Sequence, residues 1–240
     1  KNVSITKPTK NLMKQLNWFL INEREKLKDK MSINERSLEI FGDEKILKDL
    51  FTRDWFNSKI ALSDLNCYQP LNPFVSKYFP HAHSSNAIML DNLDTFLTFC
   101  RINSQSFPRR YQYVIYGEGL NILHRFLWLE FLEPQPTRVE YFGDIDYEGL
   151  LIPCQLMEKI EHSFPAIEFV FADDFYNLLF AKGMANKSRE SRTSLPPTIQ
   201  EKFKQIFPEY VEKITRTIKS RQKIPQENLT MKDLQPFFTE

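Results

Sequence analysis

The sequence predicts an α/β fold in which a parallel sheet is flanked by helices and preceded by a helical N-terminal region. Four short apolar runs, Ala87-Ile-Met-Leu90, Tyr111-Gln-Tyr-Val-Ile-Tyr116, Thr137-Arg-Val-Glu-Tyr-Phe142 and Ile167-Glu-Phe-Val-Phe171, have the length and the β-branched, aromatic content of buried strands. Each is followed by a helical pattern, and parallel strands need a crossover of that kind to be joined. Residues 1 to about 85 lack the alternation and read as helices, which divides the chain into 1–85 and 86–240.

In the first region Asn11 to Asp29 and Asp43 to Trp55 are amphipathic helix candidates, and a winged-helix arrangement is one form they can take. The stretch Tyr68-Gln-Pro-Leu-Asn-Pro-Phe-Val-Ser-Lys-Tyr-Phe-Pro80 is punctuated by proline and reads as a loop or linker. Beyond it the helices are expected from about Asp94, over Leu120 to Leu132, over Gly149 to His162 and over Asp174 to Ala181, with further helices from Pro197 onward. No internal repeat or low-complexity segment interrupts this order.

Composition sets bounds on function. At 240 residues, with 42% hydrophobic and 26% charged residues, the chain has enough apolar material for a substantial core and is unlike a disordered polypeptide. No apolar run reaches the length of a membrane span, no signal-peptide pattern opens the chain, and its start at Lys1 admits a fragment of a longer protein. Cys67, Cys100 and Cys154 are odd in number and widely spaced, which argues against a disulfide framework and a zinc cluster and for a reducing, cytoplasmic setting. The net charge of +1 is unevenly spread: from Lys182 to Lys223 there are 11 Lys/Arg against 4 Asp/Glu. That segment, with Lys182, Lys187, Arg189, Arg192, Lys202, Lys204, Lys213, Arg216, Lys219, Arg221 and Lys223, is either a polyanion-binding surface or a solvated helix face.

Polar residues gather where strands end. Asp91 and Asp94 follow the first run, Gly117-Glu118-Gly119 the second, Asp144 and Asp146 the third, and Asp173 and Asp174 the fourth. In a parallel sheet the carboxyl ends of the strands face the ligand crevice. The Asp-x-Asp pair after Gly143 has the hard oxygen ligands that Mg²⁺ or Mn²⁺ takes. The alternative is that one Asp caps the helix starting near Tyr147 and the other is a solvated turn residue. Gly117 and Gly119 permit a tight turn and close backbone approach to a phosphate, or form a plain loop. His81 and His83 form a loop His-x-His, read as exposed or locally bonded histidines rather than metal ligands. The dinucleotide fingerprint, the P-loop and the serine-hydrolase elbow are all missing.

The segments Leu90-Asp-Asn-Leu-Asp-Thr-Phe96, Val114-Ile-Tyr-Gly-Glu-Gly119, Tyr141-Phe-Gly-Asp-Ile-Asp-Tyr-Glu-Gly149 and Ile224-Pro-Gln-Glu-Asn-Leu229 together resemble the C-terminal half of the JetD-like nuclease subunit of Wadjet plasmid-defence systems. Arg36-Ser-Leu-Glu-Ile-Phe-Gly-Asp-Glu-Lys-Ile-Leu47 is similar to the stretch preceding that half, so the resemblance spans about 34–230, with Gly-Asp-Ile-Asp-x-x-Gly its most specific element. It implies a Toprim-like domain over 86–240, related to that of the topoisomerase VI A subunit, behind a DNA-binding region over 1–85. It also implies Mg²⁺-dependent DNA cleavage, an SMC-like motor complex as partner, and a homodimer as the usual state of relatives.

Carried onto this chain, the resemblance makes Asp91, Asp144 and Asp146 metal ligands, with Asp91 also a candidate general base. Where the family motif has a glutamate the chain has Asp91, one methylene shorter, and Glu118 is the candidate to supply the missing reach from the neighbouring strand end. Lys182, Lys187, Arg189, Arg192, Lys213, Arg216 and Lys219 are the expected DNA contacts, and Gly117, Gly119, Gly149 and Glu227 the supporting residues. Tyr68 and Tyr78 lack the arginine and acid setting of a topoisomerase tyrosine, so hydrolysis by a metal-bound water is expected rather than a covalent DNA link. The competing readings are a catalytically degenerate Toprim module that binds DNA or docks on the motor complex, and a phosphatase whose first Asp is a nucleophile. The second normally has the motif at the end of the domain's first strand, and the two strand candidates that precede it here count against that reading.

Overall fold

A computed structural model describes residues 6–238 and divides the chain into two compact units, one ending at Leu71 and the other beginning at Asn72. The first unit is helical: α1 (Lys7–Asn22), α2 (Ile33–Phe41), α3 (Ile46–Phe51) and α4 (Asp54–Asn57). Ser32 and Glu35 form a reciprocal capping box at the start of α2, and Gly42 closes it at φ +72°, a left-handed conformation that glycine adopts without Cβ strain. The buried Ser37 hydroxyl donates to the Asp43 carbonyl at 2.6 Å and accepts from the Leu47 amide at 2.9 Å, which fastens α2 to α3. Two short strands, β1 (Met31–Ser32) and β2 (Cys67–Tyr68), pair in parallel. An antiparallel wing hairpin therefore does not accompany these helices among the described residues.

The second unit carries a five-stranded, mostly parallel sheet flanked by helices, as a Toprim-like α/β fold does. Its strands are β3 (Val75–Tyr78), β4 (Asn86–Leu90), β5 (Tyr113–Tyr116), β6 (Arg138–Phe142) and β7 (Glu168–Phe171), in spatial order β3-β5-β4-β6-β7. The edge strand β3 corrects the expectation of a plain loop over Tyr68 to Pro80. Its four residues lie antiparallel on β5, and prolines flank rather than interrupt them.

Alternation along the strands builds two cores. Ile88, Leu90, Val114, Phe142 and Phe171 face one side, while Ala87, Met89, Ile115, Tyr141 and Phe169 face the other. On the first side pack α5 (Leu93–Gln105) and α8 (Asp173–Lys182), with the later helices α9 (Pro197–Ile206), α10 (Val211–Lys219) and α11 (Met231–Leu234). The second side is covered by α6 (Ile122–Arg125) and the 3-10 turns around it, so that the single helix expected over Leu120 to Leu132 is divided. Helix α7 (Tyr147–Ser163) supplies Leu150 and Cys154 to the first core and Ile152 and Leu156 to the second. A two-residue ladder, β8 (Asn186–Lys187) with β9 (Gln222–Lys223), joins the tail to the sheet's carboxyl edge through the bridge between Ile145 and Ile224.

Asn103, fully buried, donates from its amide to the Tyr111 carbonyl at 2.8 Å and accepts from the Tyr111 amide at 3.1 Å. It fastens the end of α5 to the approach to β5. Replacing it by alanine strands both backbone groups and is expected to cost about 2–4 kcal/mol, read by urea denaturation.

Candidate functional site

The strand order places the site. From β4 the chain crosses to β5 on one side, and the following strand β6 lies on the other side of β4, which opens a crevice beyond the carboxyl ends. Leu90, Tyr116 and Phe142 are in register at those ends. The residues that follow, Asp91, Gly117 and Gly143, are therefore neighbours. Asp91, Asp144 and Asp146 line one cleft with Asn92, Glu148, Gly149 and Gly119. Asp173 and Asp174, at the end of β7, lie elsewhere: Asp174 pairs with Arg110 at 2.8 Å. Asp94 sits in the exposed first turn of α5.

Each aspartate has a distinct setting. Asp91 Oδ1 is buried without a hydrogen-bond partner of ordinary geometry, and the buried Tyr141 hydroxyl stands beside the Asp91 carboxyl. Burial pushes the Asp91 carboxyl up to about 7; the nearby Tyr141 hydroxyl opposes the rise, and the charges of Asp144, Asp146 and Glu148 add to it. Asp144 is held at both oxygens, Oδ2 accepting from Lys223 Nζ at 2.8 Å and Oδ1 from the Gln226 amide at 2.9 Å. Asp146 Oδ1 accepts from the Gly149 amide at 2.8 Å and so caps α7. The capping reading of the Asp-x-Asp pair thus holds for Asp146, which also lines the cleft. Burial raises the Asp146 carboxyl, the Gly149 amide opposes this, and the Asp144 charge adds to it.

Glycines set the spacing. A Cβ on Gly143 would lie 2.9 Å from the Tyr141 ring and 3.1 Å from Asp91 Oδ2, and one on Gly149 would lie 2.2 Å from the Asp144 carbonyl oxygen. The Gly143 amide donates to the buried Tyr176 hydroxyl at 2.9 Å. Gly117 approaches the Leu90 carbonyl so closely that a Cβ there would meet it at 3.3 Å, and Gly119 takes φ +60°.

Other expected residues divide between the cleft and elsewhere. Glu118, itself at φ +58°, is ion-paired with Arg125, while its neighbour Gly119 lines the cleft. Glu227 accepts from Asn92 Nδ2 at 2.7 Å, and Asn92 caps α5 through its Oδ1. Lys187 and Arg189 line a recess that shares Asp146 and Glu148 with the aspartate cleft. Arg192 lies 3.9 Å over the Tyr147 ring and pairs with Glu148 at 2.9 Å. Lys182 pairs with Asp233, and Lys213 donates to the Phe180 carbonyl, so each ammonium already uses one donor within the protein. Arg216 and Lys219 stay exposed on α10.

Two residues escaped the sequence reading in their present roles, Lys223 and Gln226. In the sequence Lys223 is one of many basic residues in its segment, and Gln226 stands beside the acidic Glu227. Burial disfavours the Lys223 ammonium, but its hydrogen bond to Asp144 and the acidic charges around it outweigh this and raise its pKa above the ordinary lysine value. Gln226 is fully buried, its amide nitrogen donating to the Phe142 carbonyl at 2.7 Å, its Oε1 unpaired. Both reach the site from about eighty residues away in sequence, where no local pattern signals them.

Among the described residues no three His, Cys, Asp or Glu side chains converge closely enough to hold a metal ion as they stand. The donor set nevertheless fits a hard divalent cation. Three carboxylates line one cleft, Oδ1 of one of them, Asp91, is buried without a hydrogen-bond partner, and Asp144 already pairs with a cation, the Lys223 ammonium. No helix among the described residues is long and apolar enough to cross a membrane. Compared with known proteins, the family described as Wadjet protein JetD, C-terminal, matches residues 65–237. No curated protein matches the chain.

Proposed function

The chain belongs to the JetD C-terminal family of Wadjet proteins, and on that premise we propose that it is a divalent-metal-dependent DNA endonuclease subunit. Wadjet membership implies a multi-protein complex, and the partners proposed are DNA, an SMC-like motor complex and a second copy of the chain. The observation that carries the reading is the shared cleft of Asp91, Asp144 and Asp146, with Asp91 Oδ1 buried and unpaired.

In this reading those three carboxylates hold Mg²⁺ or Mn²⁺. When bound, the ion polarises the scissile phosphate and lowers the pKa of the attacking water. The protein does the rest. Gly143 and Gly149 keep the carboxylates at their spacing, Asn92 and Glu227 steady the turn after Asp91, and the Gln226 amide orients Asp144. Lys187 and Arg189 draw the polyanion along the recess that leads to Asp146, and Arg192 offsets the charge of Glu148, which lines both the recess and the cleft. The helical unit before Asn72 adds a second DNA-binding region.

The test is cleavage of supercoiled plasmid by the purified chain in Mg²⁺ or Mn²⁺, with the motor complex added in a parallel series. Asp144→Asn and Asp146→Asn are each expected to reduce the rate by about a hundredfold or more, since each removes a charged ligand from a metal-assisted reaction. Undiminished cleavage by either variant would remove the assigned site.

A second reading, a degenerate module that binds DNA or docks on the motor complex, is favoured by one observation: both oxygens of Asp144 are already engaged. Asp91→Glu, which restores the family's longer acid, separates the two. Cleavage by the natural chain supports the nuclease, whereas cleavage by Asp91→Glu alone supports a natural role in binding.

A further inference from the structure

The Lys223 ammonium stands where a metal ligand would have to open. Its bond to Asp144 Oδ2 at 2.8 Å is a charge-assisted contact between side chains 35% and 17% exposed, so it is only partly screened by water. That oxygen keeps a second lone pair, but the ammonium 2.8 Å away neutralises the carboxylate charge and repels a second cation, so the lysine and a divalent ion compete for Asp144.

The backbone that carries Lys223 is held, while its side chain has somewhere else to go. Ile224 exchanges both backbone hydrogen bonds with Ile145, at 2.9 and 3.1 Å, and the strand β9 is laddered to β8. Arg221, at φ +52°, turns the chain from α10 into that strand. Lys223 also lines the recess that contains Lys187, Ser188 and Arg189. The flexible four-carbon stem of a lysine and the recess beside it give the ammonium a place to turn to when it leaves Asp144 while the main chain stays paired.

We propose that Lys223 is an internal competitor for the divalent metal at Asp144, and that a phosphate of the incoming polynucleotide draws it off, so that metal loading and DNA binding are coupled. This rests on the metal reading of the aspartate cleft. Without DNA the resident ammonium keeps the ion weakly bound. With DNA in the recess, the ammonium exchanges a carboxylate partner for a phosphate oxygen, and Asp144 is released to the ion. The residue is thus a positioning residue that gates a ligand.

The test is the dissociation constant of Mn²⁺, read from the electron paramagnetic resonance of the free ion, with and without a short DNA duplex. The wild-type chain is expected to bind Mn²⁺ weakly alone and more tightly with duplex. Lys223→Met, which keeps the stem and removes the charge, is expected to bind Mn²⁺ alone about tenfold more tightly and to lose most of the enhancement by duplex. Lys223→Arg retains a cation and is expected to keep the wild-type pattern. Thermal melting controls for folding: in the proposal Mg²⁺ raises the Tm of Lys223→Met more than that of wild type, a response that a merely structural lysine does not produce. Lys223→Met that melts like wild type and binds Mn²⁺ no more tightly would overturn the proposal. If neither chain binds Mn²⁺ and Asp144→Asn changes nothing, the metal reading itself fails.

Discussion

Gly149→Ala is expected to dismantle the site and much of the fold around it. The added methyl would lie 2.2 Å from the Asp144 carbonyl oxygen and 3.0 Å from its carbon, and both are backbone atoms that no rotamer change can move aside. The start of α7 must then separate from the loop that follows β6. That movement breaks the Asp146 cap at the Gly149 amide and shifts the Asp144 turn off Gln226 and Lys223. Overpacking by a methyl usually costs about 1–3 kcal/mol, and a backbone collision with loss of a cap takes the expected cost above about 4 kcal/mol. Denaturant unfolding of Gly149→Ala beside wild type checks this. A loss below about 1 kcal/mol would mean that the helix start is not pressed against Asp144. Gly117→Ala provides the contrast, since its Cβ meets the Leu90 carbonyl only at 3.3 Å and a small shift relieves it.

The second large effect has the opposite sign. Asp91→Asn is expected to stabilise the metal-free chain at neutral and alkaline pH. Burial holds the Asp91 carboxyl at about 7 against 3.8 for a free aspartate, so between those values the folded chain binds more protons than the unfolded one. Its contribution to stability is complete below the unfolded value and is lost as pH rises through about 7. At pH 8 the ionised group stands in a site that disfavours it. A shift of this size is equivalent to about 4 kcal/mol at most, and the expected gain from the neutral amide is roughly 2–4 kcal/mol at pH 8, vanishing near pH 4. Melting curves across this range check it. A gain independent of pH would mean that the asparagine packs better, and no gain would mean that the carboxylate is already compensated. On the metal reading, Mg²⁺ should reverse the order at pH 8, because the ion supplies the charge that the ionised carboxylate lacks.

The same titration bears on function. If Asp91 must be ionised to hold the ion, Mg²⁺ affinity rises with pH through about 7. The same buried carboxylate then destabilises the metal-free fold and serves the site when a cation arrives, a common arrangement where stability is given up locally for chemistry.

Much of this protein was determined by its sequence alone. Alternation of apolar and polar positions reports which side chains are buried, and burial is what makes β4, β5, β6 and β7 strands and the segments between them helices. Gly143 followed by Asp144 and Asp146 marked a strand end with carboxylates beyond it, and both aspartates do line a cleft there. The tertiary structure decided what local pattern does not encode. The Pro-bearing stretch hid β3 because its residues alternate weakly, and only hydrogen bonds from β5 make it a strand. Neighbourhood across the sheet brought Asp91 beside Asp144, since β4 pairs with β6 rather than with the next strand alone. Likewise, only the tail's return to the sheet edge set Lys223 and Gln226 on Asp144. Local sequence fixes conformation through short-range sterics and burial periodicity, whereas which strand ends meet, and which distant cation neutralises them, depends on contacts made only when the whole chain has packed.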